Sequence, residues 1–281
     1  MTVLSVNGLC KSYEKFQLRD VSFQLRQGEI MGFIGRNGAG KTTTLKSLLN
    51  LIHPDSGEVR FFGLDFMEHE LEIKGRIGFV SGGTDFYTRK RLRLISSVCK
   101  SFYPNWDGDA YRRFMELFGL DEDKTPAQLS AGMRVKYSLA LALSHRAELL
   151  ILDEPTSGLD PVSRDELLEI FLRLAREGVS ILFSTHITSD LDKCAERITY
   201  IRNGRIAASE DLDGFKKRYR LLCLREEEIS ETIRPYLIGC GISRDGVTAL
   251  VETEKAEALG IETRDADLET IMIHLEKEDK P

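Results

Sequence analysis

Apolar and polar residues alternate between Leu18 and Leu25, putting Val21, Phe23 and Leu25 on one side of a half-buried strand. Leu4 to Val6 and Glu29 to Ile34 read as further strands, and the second of these runs into a glycine-rich turn. After it the period changes. Leu45, Leu48, Leu49 and Ile52 fall at helical spacing, which predicts a helix over 41–52, closed by the turn formers Pro54, Asp55, Ser56 and Gly57. Residues 88–146 read as mainly helical. Phe114, Leu117 and Phe118 are expected on one face, and Val135, Leu139, Leu141, Ala142 and Leu143 on a second, largely buried helix. The apolar runs Leu149–Leu152 and Val179–Phe183 flank a helix over 164–176, the β-α-β order of a parallel sheet in an α/β protein. Asn203-Gly204, set between the strands 197–202 and 205–208, predicts a type I′ hairpin. Beyond Glu210 the pattern weakens: a helix is expected over 229–237, a strand over 247–252 and a last helix over 267–277.

Charge divides the chain in the same place. Of 281 residues, 39 are basic and 45 acidic, a net charge of −6. Residues 1–204 hold 27 of each sign, so the whole excess lies in the last quarter. That argues against a nucleic-acid binder with a general basic surface. The apolar runs are far shorter than the roughly 20 residues of a membrane span. No basic-then-apolar leader opens the chain, and five scattered cysteines suggest reduced thiols, so a cytoplasmic setting is expected. The expected organisation is a large domain over 1–215, with its helical part at about 88–146, and an accessory segment over 216–281.

The glycine-rich turn carries chemistry. Gly35-Arg36-Asn37-Gly38-Ala39-Gly40-Lys41-Thr42 fits the phosphate-loop spacing, in which glycines turn successive backbone N–H groups inward around phosphate oxygens. The helix that follows adds its positive dipole end. In that setting Lys41 reaches the β- and γ-phosphates, Thr42 ligates Mg²⁺, and Thr43 lies beside them. Further along, the strand Leu149–Leu152 ends in Asp153 and Glu154. Asp153 is placed near Mg²⁺ and Glu154 beside the γ-phosphate, where it can act as general base.

With Leu129-Ser130-Ala131-Gly132-Met133, the chain resembles the ATP-binding subunits of ABC transporters. The resemblance spans about residues 2–210. It adds Tyr13 as an adenine-stacking aromatic, Ser157-Gly158-Leu159-Asp160 as a D-loop and His186 as the switch histidine. It implies a phosphate-loop NTPase fold with a mixed sheet core, an N-terminal antiparallel β subdomain, a helical signature subdomain and a small C-terminal α/β appendix. ATP and Mg²⁺ are the implied cofactors. Two such domains would pair head to tail, as a homodimer or a heterodimer. Ser130 and Gly132 would then bind the γ-phosphate held by the partner, Asp160 would link the two sites, and His186 would orient water with Glu154.

The chain departs from the family pattern at Gly82, where a Q-loop glutamine is expected, and at Ala131 and Met133 of the signature. Slow but real hydrolysis is expected. Phe102-Tyr103-Pro104-Asn105-Trp106-Asp107 and the signature variant are similar to bacterial ABC-2-type exporters, which implies a separate membrane permease as partner and attachment to the inner face of the membrane through it. Arg89-Lys90-Arg91-Leu92-Arg93 either lies near where that permease would dock or is a solvated basic helix start. The alternative is a regulatory or sensory ATP-binding module without transport.

Overall fold

A computed structural model describes residues 1–81, 87–225, 229–243 and 246–277. The Q-loop position Gly82 and the acidic run Glu226 to Glu228 lie outside the described residues. The chain divides into two compact units, Met1–Ser209 and Glu210–Pro281.

The first unit is built on two sheets. One is antiparallel, in the order β2-β1-β4-β5, from β1 (Thr2–Ser12), β2 (Gln17–Arg26), β4 (Ser56–Phe61) and β5 (Leu64–Asp65). Its inner face is the alternating set Val21, Phe23 and Leu25, all buried. The other sheet has the order β10-β9-β3-β8-β7-β6, with β3 (Ile30–Ile34), β6 (Ile77–Ser81), β7 (Leu149–Asp153), β8 (Ser180–Thr185), β9 (Arg197–Arg202) and β10 (Arg205–Asp211). Strands β9, β3, β8, β7 and β6 run parallel. Every residue of β3, β7 and β8 is buried, as expected of strands covered on both faces. The turn from β9 to β10 has Asn203 at φ 49° and Gly204 at φ 75°, the two positive angles that the Asn-Gly pair predicts.

Helices α1 (Lys41–Leu48), α2 (Glu70–Gly75), α6 (Pro161–Arg176) and α7 (Thr188–Cys194) accompany the sheets, and α3 (Leu92–Phe102), α4 (Gly108–Leu117) and α5 (Ala131–Ser144) make up the helical region. Two details differ from the sequence expectation. The helix predicted over 41–52 stops at Leu48, because Asn50 turns left-handed at φ 55° and the Leu51 N–H reaches back to the Lys46 carbonyl, a C-terminal closure that ends the ladder. Leu117 is 61% exposed; the buried side is Tyr111 and Met115 of α4 with Phe118 at its C-cap, at spacings of four and three.

The second unit carries an antiparallel sheet of order β12-β13-β11-β14, formed by β11 (Tyr219–Leu224), β12 (Ile238–Ser243), β13 (Gly246–Glu252) and β14 (Arg264–Asp265). Helices α8 (Leu212–Lys217), α9 (Thr253–Leu259) and α10 (Leu268–Lys277) belong to it. The helix expected over 229–237 is only a 3-10 turn at Arg234–Tyr236. Pro235 lacks an N–H and disfavours helical angles at the residue before it.

Candidate active site

The carboxyl ends of neighbouring strands converge on one crevice, where α/β sheets place their ligands. Parallel register sets Ile34 of β3 beside Thr185 of β8, and Ser184 beside Asp153 of β7. The loop after β3, the Asp153-Glu154 pair and His186 therefore emerge at one edge.

Gly35 follows β3 so closely that a Cβ there would lie 2.3 Å from the Ile201 carbonyl oxygen. The turn is completed by Gly38 at φ 84° and Gly40 at φ 116°, angles that side chains resist. Gly40 caps α1 without a side-chain acceptor, so the first N–H groups of the helix have no intrahelical partner. They form an anion-binding end. Lys41 is buried, and its Nζ donates to the Gly35 carbonyl at 2.8 Å and the Arg36 carbonyl at 3.4 Å.

The same ammonium lies 3.2 Å from Glu154 Oε1, and His186 Nδ1 is 2.8 Å from Glu154 Oε2. One carboxylate thus bridges a cation and an imidazole. Its backbone is left-handed at φ 51°, an unfavourable angle for a non-glycine residue. Hydrogen bonds from the Glu154 N–H to the Ser184 carbonyl (3.2 Å) and hydroxyl (2.9 Å) hold it there. Behind it, the Thr42 hydroxyl donates to Asp153 Oδ1 at 3.1 Å and the Ser184 hydroxyl donates to the same oxygen at 2.7 Å. Among the described residues no three His, Cys, Asp or Glu side chains gather to hold a metal by themselves. A hydroxyl and a carboxylate nonetheless fit Mg²⁺, which keeps waters and takes its remaining oxygens from substrate phosphates.

A cleft of about 600 Å³ lies over these groups, and its lining includes Arg36, Asn37, Gly38, Gly40, Thr43 and Lys15 with Phe16. Lys41, Thr42, Glu154, Ser157 and His186 complete it. Gly35 and Ala39 support the loop from behind; the Ala39 carbonyl accepts the Gly204 N–H. Tyr13 does not line the cleft, and its ring sits 5.8 Å from Lys11 Nζ. Phe16, three residues on, is the aromatic that does. Its position in the turn between β1 and β2, next to the alternating strand, was a signal available in the sequence. Ser184, two residues before His186, takes its role from Asp153 and Glu154 across the sheet, which no spacing along the chain indicates.

Ser130, Gly132 and Asp160 lie outside this cleft. Ser130 caps α5 by accepting the Met133 N–H at 3.2 Å and is exposed. Gly132 is buried near Ser163. Asp160 caps α6, accepting from Val162 at 3.1 Å and Ser163 at 3.0 Å; the hydrogen bonds from Ser163 hold its carboxyl below the usual range.

A family profile described as ABC transporter matches residues 18–157. The bacitracin transport ATP-binding protein BcrA of Bacillus licheniformis is 35% identical over 223 residues, covering 78% of this chain and 73% of that protein. The ABC transporter ATP-binding protein YtrB of Bacillus subtilis is 32% identical over 203 residues, covering 72% of this chain and 69% of that protein. A solved ATP-binding subunit of an ABC transporter superposes with a TM-score of 0.69 at 28% identity, covering 76% of this chain and 92% of that one.

Proposed function

The chain belongs to the ABC transporter family as an ATP-binding, ATP-hydrolysing subunit, and from that premise we propose that it pairs around ATP to drive a separate membrane permease. The observation that carries the reading is the Lys41–Glu154–His186 chain in an open cleft over Thr42 and Asp153.

Nucleotide phosphates enter the loop at the Gly38–Thr43 N–H groups, and Lys41 transfers its attention from the Gly35 and Arg36 carbonyls to the γ-phosphate. Thr42 and Asp153 would hold Mg²⁺, which when bound neutralises charge on the β- and γ-oxygens. Glu154, released from Lys41, accepts the proton of the attacking water. His186 holds that carboxylate in place from its other oxygen and faces the cleft. The adenine is assigned to the aromatic side of the cleft, at Phe16, whose carbonyl accepts the Tyr13 N–H.

Ser130 and Gly132 stand apart from the chain's own cleft, which favours their serving the cleft of a second ATP-binding subunit, identical or not. The exposed N-terminus of α5 then meets the partner's γ-phosphate, and Asp160 spans the junction. A permease fits the apolar groove of about 220 Å³ lined by Tyr87, Lys90, Leu94, Ile95, Val98 and Cys99. Attachment to the inner face of the membrane follows from that docking. Export is the direction we assign, on the likeness of residues 102–107 and of the signature Leu129–Met133 to bacterial exporters. Among the described residues no helix is long and apolar enough to cross a membrane.

The test is Glu154→Gln. The variant should slow hydrolysis by roughly 10²- to 10⁴-fold while retaining ATP, and should elute as a dimer only with ATP. A variant that binds ATP yet stays monomeric at high concentration would refute the pairing.

A further inference from the structure

Asp190 is fully buried, lines no part of the nucleotide cleft, and joins two segments that do to a third, α6, that does not. It is the third residue of α7, a helix anchored to the sheet by Leu191, which occupies the space a Cβ on Gly32 of β3 would need. Its Oδ2 accepts the Thr156 hydroxyl at 2.6 Å and the Thr185 hydroxyl at 3.4 Å. Thr156 lies in the turn that follows Glu154, where the Ser157 N–H bonds the Glu154 carbonyl and the Leu159 N–H bonds the Thr156 carbonyl. Thr185 immediately precedes His186, and its hydroxyl also accepts the Ile187 N–H at 3.0 Å, shaping the corner on which the imidazole sits. The third segment is α6, which starts at the Asp160 cap: Arg164 Nε approaches Asp190 Oδ1 to 3.9 Å. Neither of these two buried atoms has a hydrogen-bond partner among the described residues.

We propose that Asp190 is a positioning residue for hydrolysis: one carboxylate, fixed to the sheet through α7, sets the turn bearing Glu154 and the corner bearing His186 relative to each other. The inference rests on the roles assigned to Glu154 and His186 above. The physical reason lies in the backbone of Glu154, whose left-handed angle persists only where its surroundings over-determine it. Ser184 holds one side of that residue, and Thr156, tied to Asp190, holds the turn beyond it. Without the carboxylate, two buried hydroxyls lose their acceptor and both segments can relax, separating the 2.8 Å contact between His186 and Glu154. Among the described residues Lys41 and Thr42 bond Gly35, Arg36, Glu154 and Asp153, and not Asp190, Thr156 or Thr185, so ground-state nucleotide binding is spared. Arg164 gives the junction a second input, since a small shift of α6 would turn its approach to Asp190 into a hydrogen bond.

The experiment measures ATP hydrolysis and ATP affinity of the full chain. Asp190→Asn keeps the shape but supplies one acceptor and turns a donor toward Arg164; Thr156→Val removes a single hydroxyl and covers the case in which the first variant does not fold. Both should lower kcat by roughly 10- to 100-fold, as misplacement of catalytic groups does, with KM for ATP within about twofold. Introduced into a Glu154→Gln background, Asp190→Asn should cause no further loss, because it acts through the residue already removed. A purely structural role would add its effect there. If Glu154→Gln and His186→Ala fail to slow hydrolysis, the reading of the catalytic pair is wrong. If they do slow it while folded Asp190→Asn and Thr156→Val stay within twofold of the parent, the positioning role of Asp190 is overturned.

Discussion

Lys41 is held before any nucleotide arrives, because two loop carbonyls and Glu154 supply the acceptors a buried ammonium requires. Binding therefore exchanges one set of anionic and dipolar partners for another and does not require a charge to be buried afresh. The loop's shape depends on a close approach that only glycine permits at position 35. Gly35→Ala would press a methyl against the Ile201 carbonyl, a backbone atom that cannot swing aside. The expected cost is roughly 1–3 kcal/mol, as for overpacking elsewhere, with weaker nucleotide binding; thermal unfolding and a nucleotide titration read both. An unchanged melting temperature would mean that β9 yields more easily than its place in the sheet implies. At this scale the sequence was informative where spacing carries the chemistry, as in Gly35–Thr42. It was silent on Ser184 and Asp190, whose roles arise from what lies across the sheet.

Helix caps connect the elements to one another. Asp107 accepts the Asp109 and Ala110 N–H groups at the start of α4, an interaction that holds its carboxyl below the usual range. Its own N–H bonds the Ser144 carbonyl at the end of α5, and Arg146 reaches its second oxygen at 3.2 Å. Asp107→Ala should lower stability measurably, as loss of an N-cap does, and leave ATP affinity unaltered. Urea unfolding of the variant checks the size, and a loss of affinity would show that the helical region bears on the cleft more directly. Nearby, Ser96 joins the Tyr111 and Tyr137 hydroxyls at 2.7 and 2.8 Å, a buried polar knot that explains why this face of α4 is turned toward Tyr111 and away from Leu117. Helical period alone places Leu117 on an apolar stripe. The choice of which edge of that stripe is covered belongs to α3 and α5. In the second unit the limit was different, because Pro235 was visible in the sequence and outweighs the apolar spacing around it.

At the scale of the molecule, two buried histidines give stability a pH dependence. Burial pushes His145 down, where it stacks on Tyr103 with ring centroids 3.9 Å apart, and burial likewise pushes down His274 in the second unit. An unfolded chain takes up protons at these sites near pH 6.5, whereas the folded chain resists until lower pH. Stability is therefore full above about pH 6.5 and falls as pH drops toward the depressed folded values. Asp190, which burial raises, acts in the opposite sense over the acidic range, so the histidine variants are more informative than the slope alone. His145→Gln should flatten the decline in melting temperature between pH 7.5 and 5.5; an unaltered slope would show that this site does not titrate as its burial implies. The two units differ in how they were legible. The charge asymmetry separated the last quarter of the chain from the rest, but strand order in that unit, β12-β13-β11-β14, had no counterpart in any pattern along the chain.

Taken alone, the sequence determined the phosphate loop, the Asp153-Glu154 pair, the buried strands and the family, because each depends on residues close in the chain or on a fixed order of short motifs. Tertiary structure decided which of those groups meet. Parallel pairing of β3, β8 and β7 brings residues more than a hundred positions apart to one edge, so that Thr42 touches Asp153 and Lys41 touches Glu154. It also decided that Phe16 and not Tyr13 lines the cleft, and that one buried carboxylate on α7 ties Thr156 to Thr185. Local spacing specifies backbone shape and charge; register across a sheet specifies distance, and hydrolysis depends on distances.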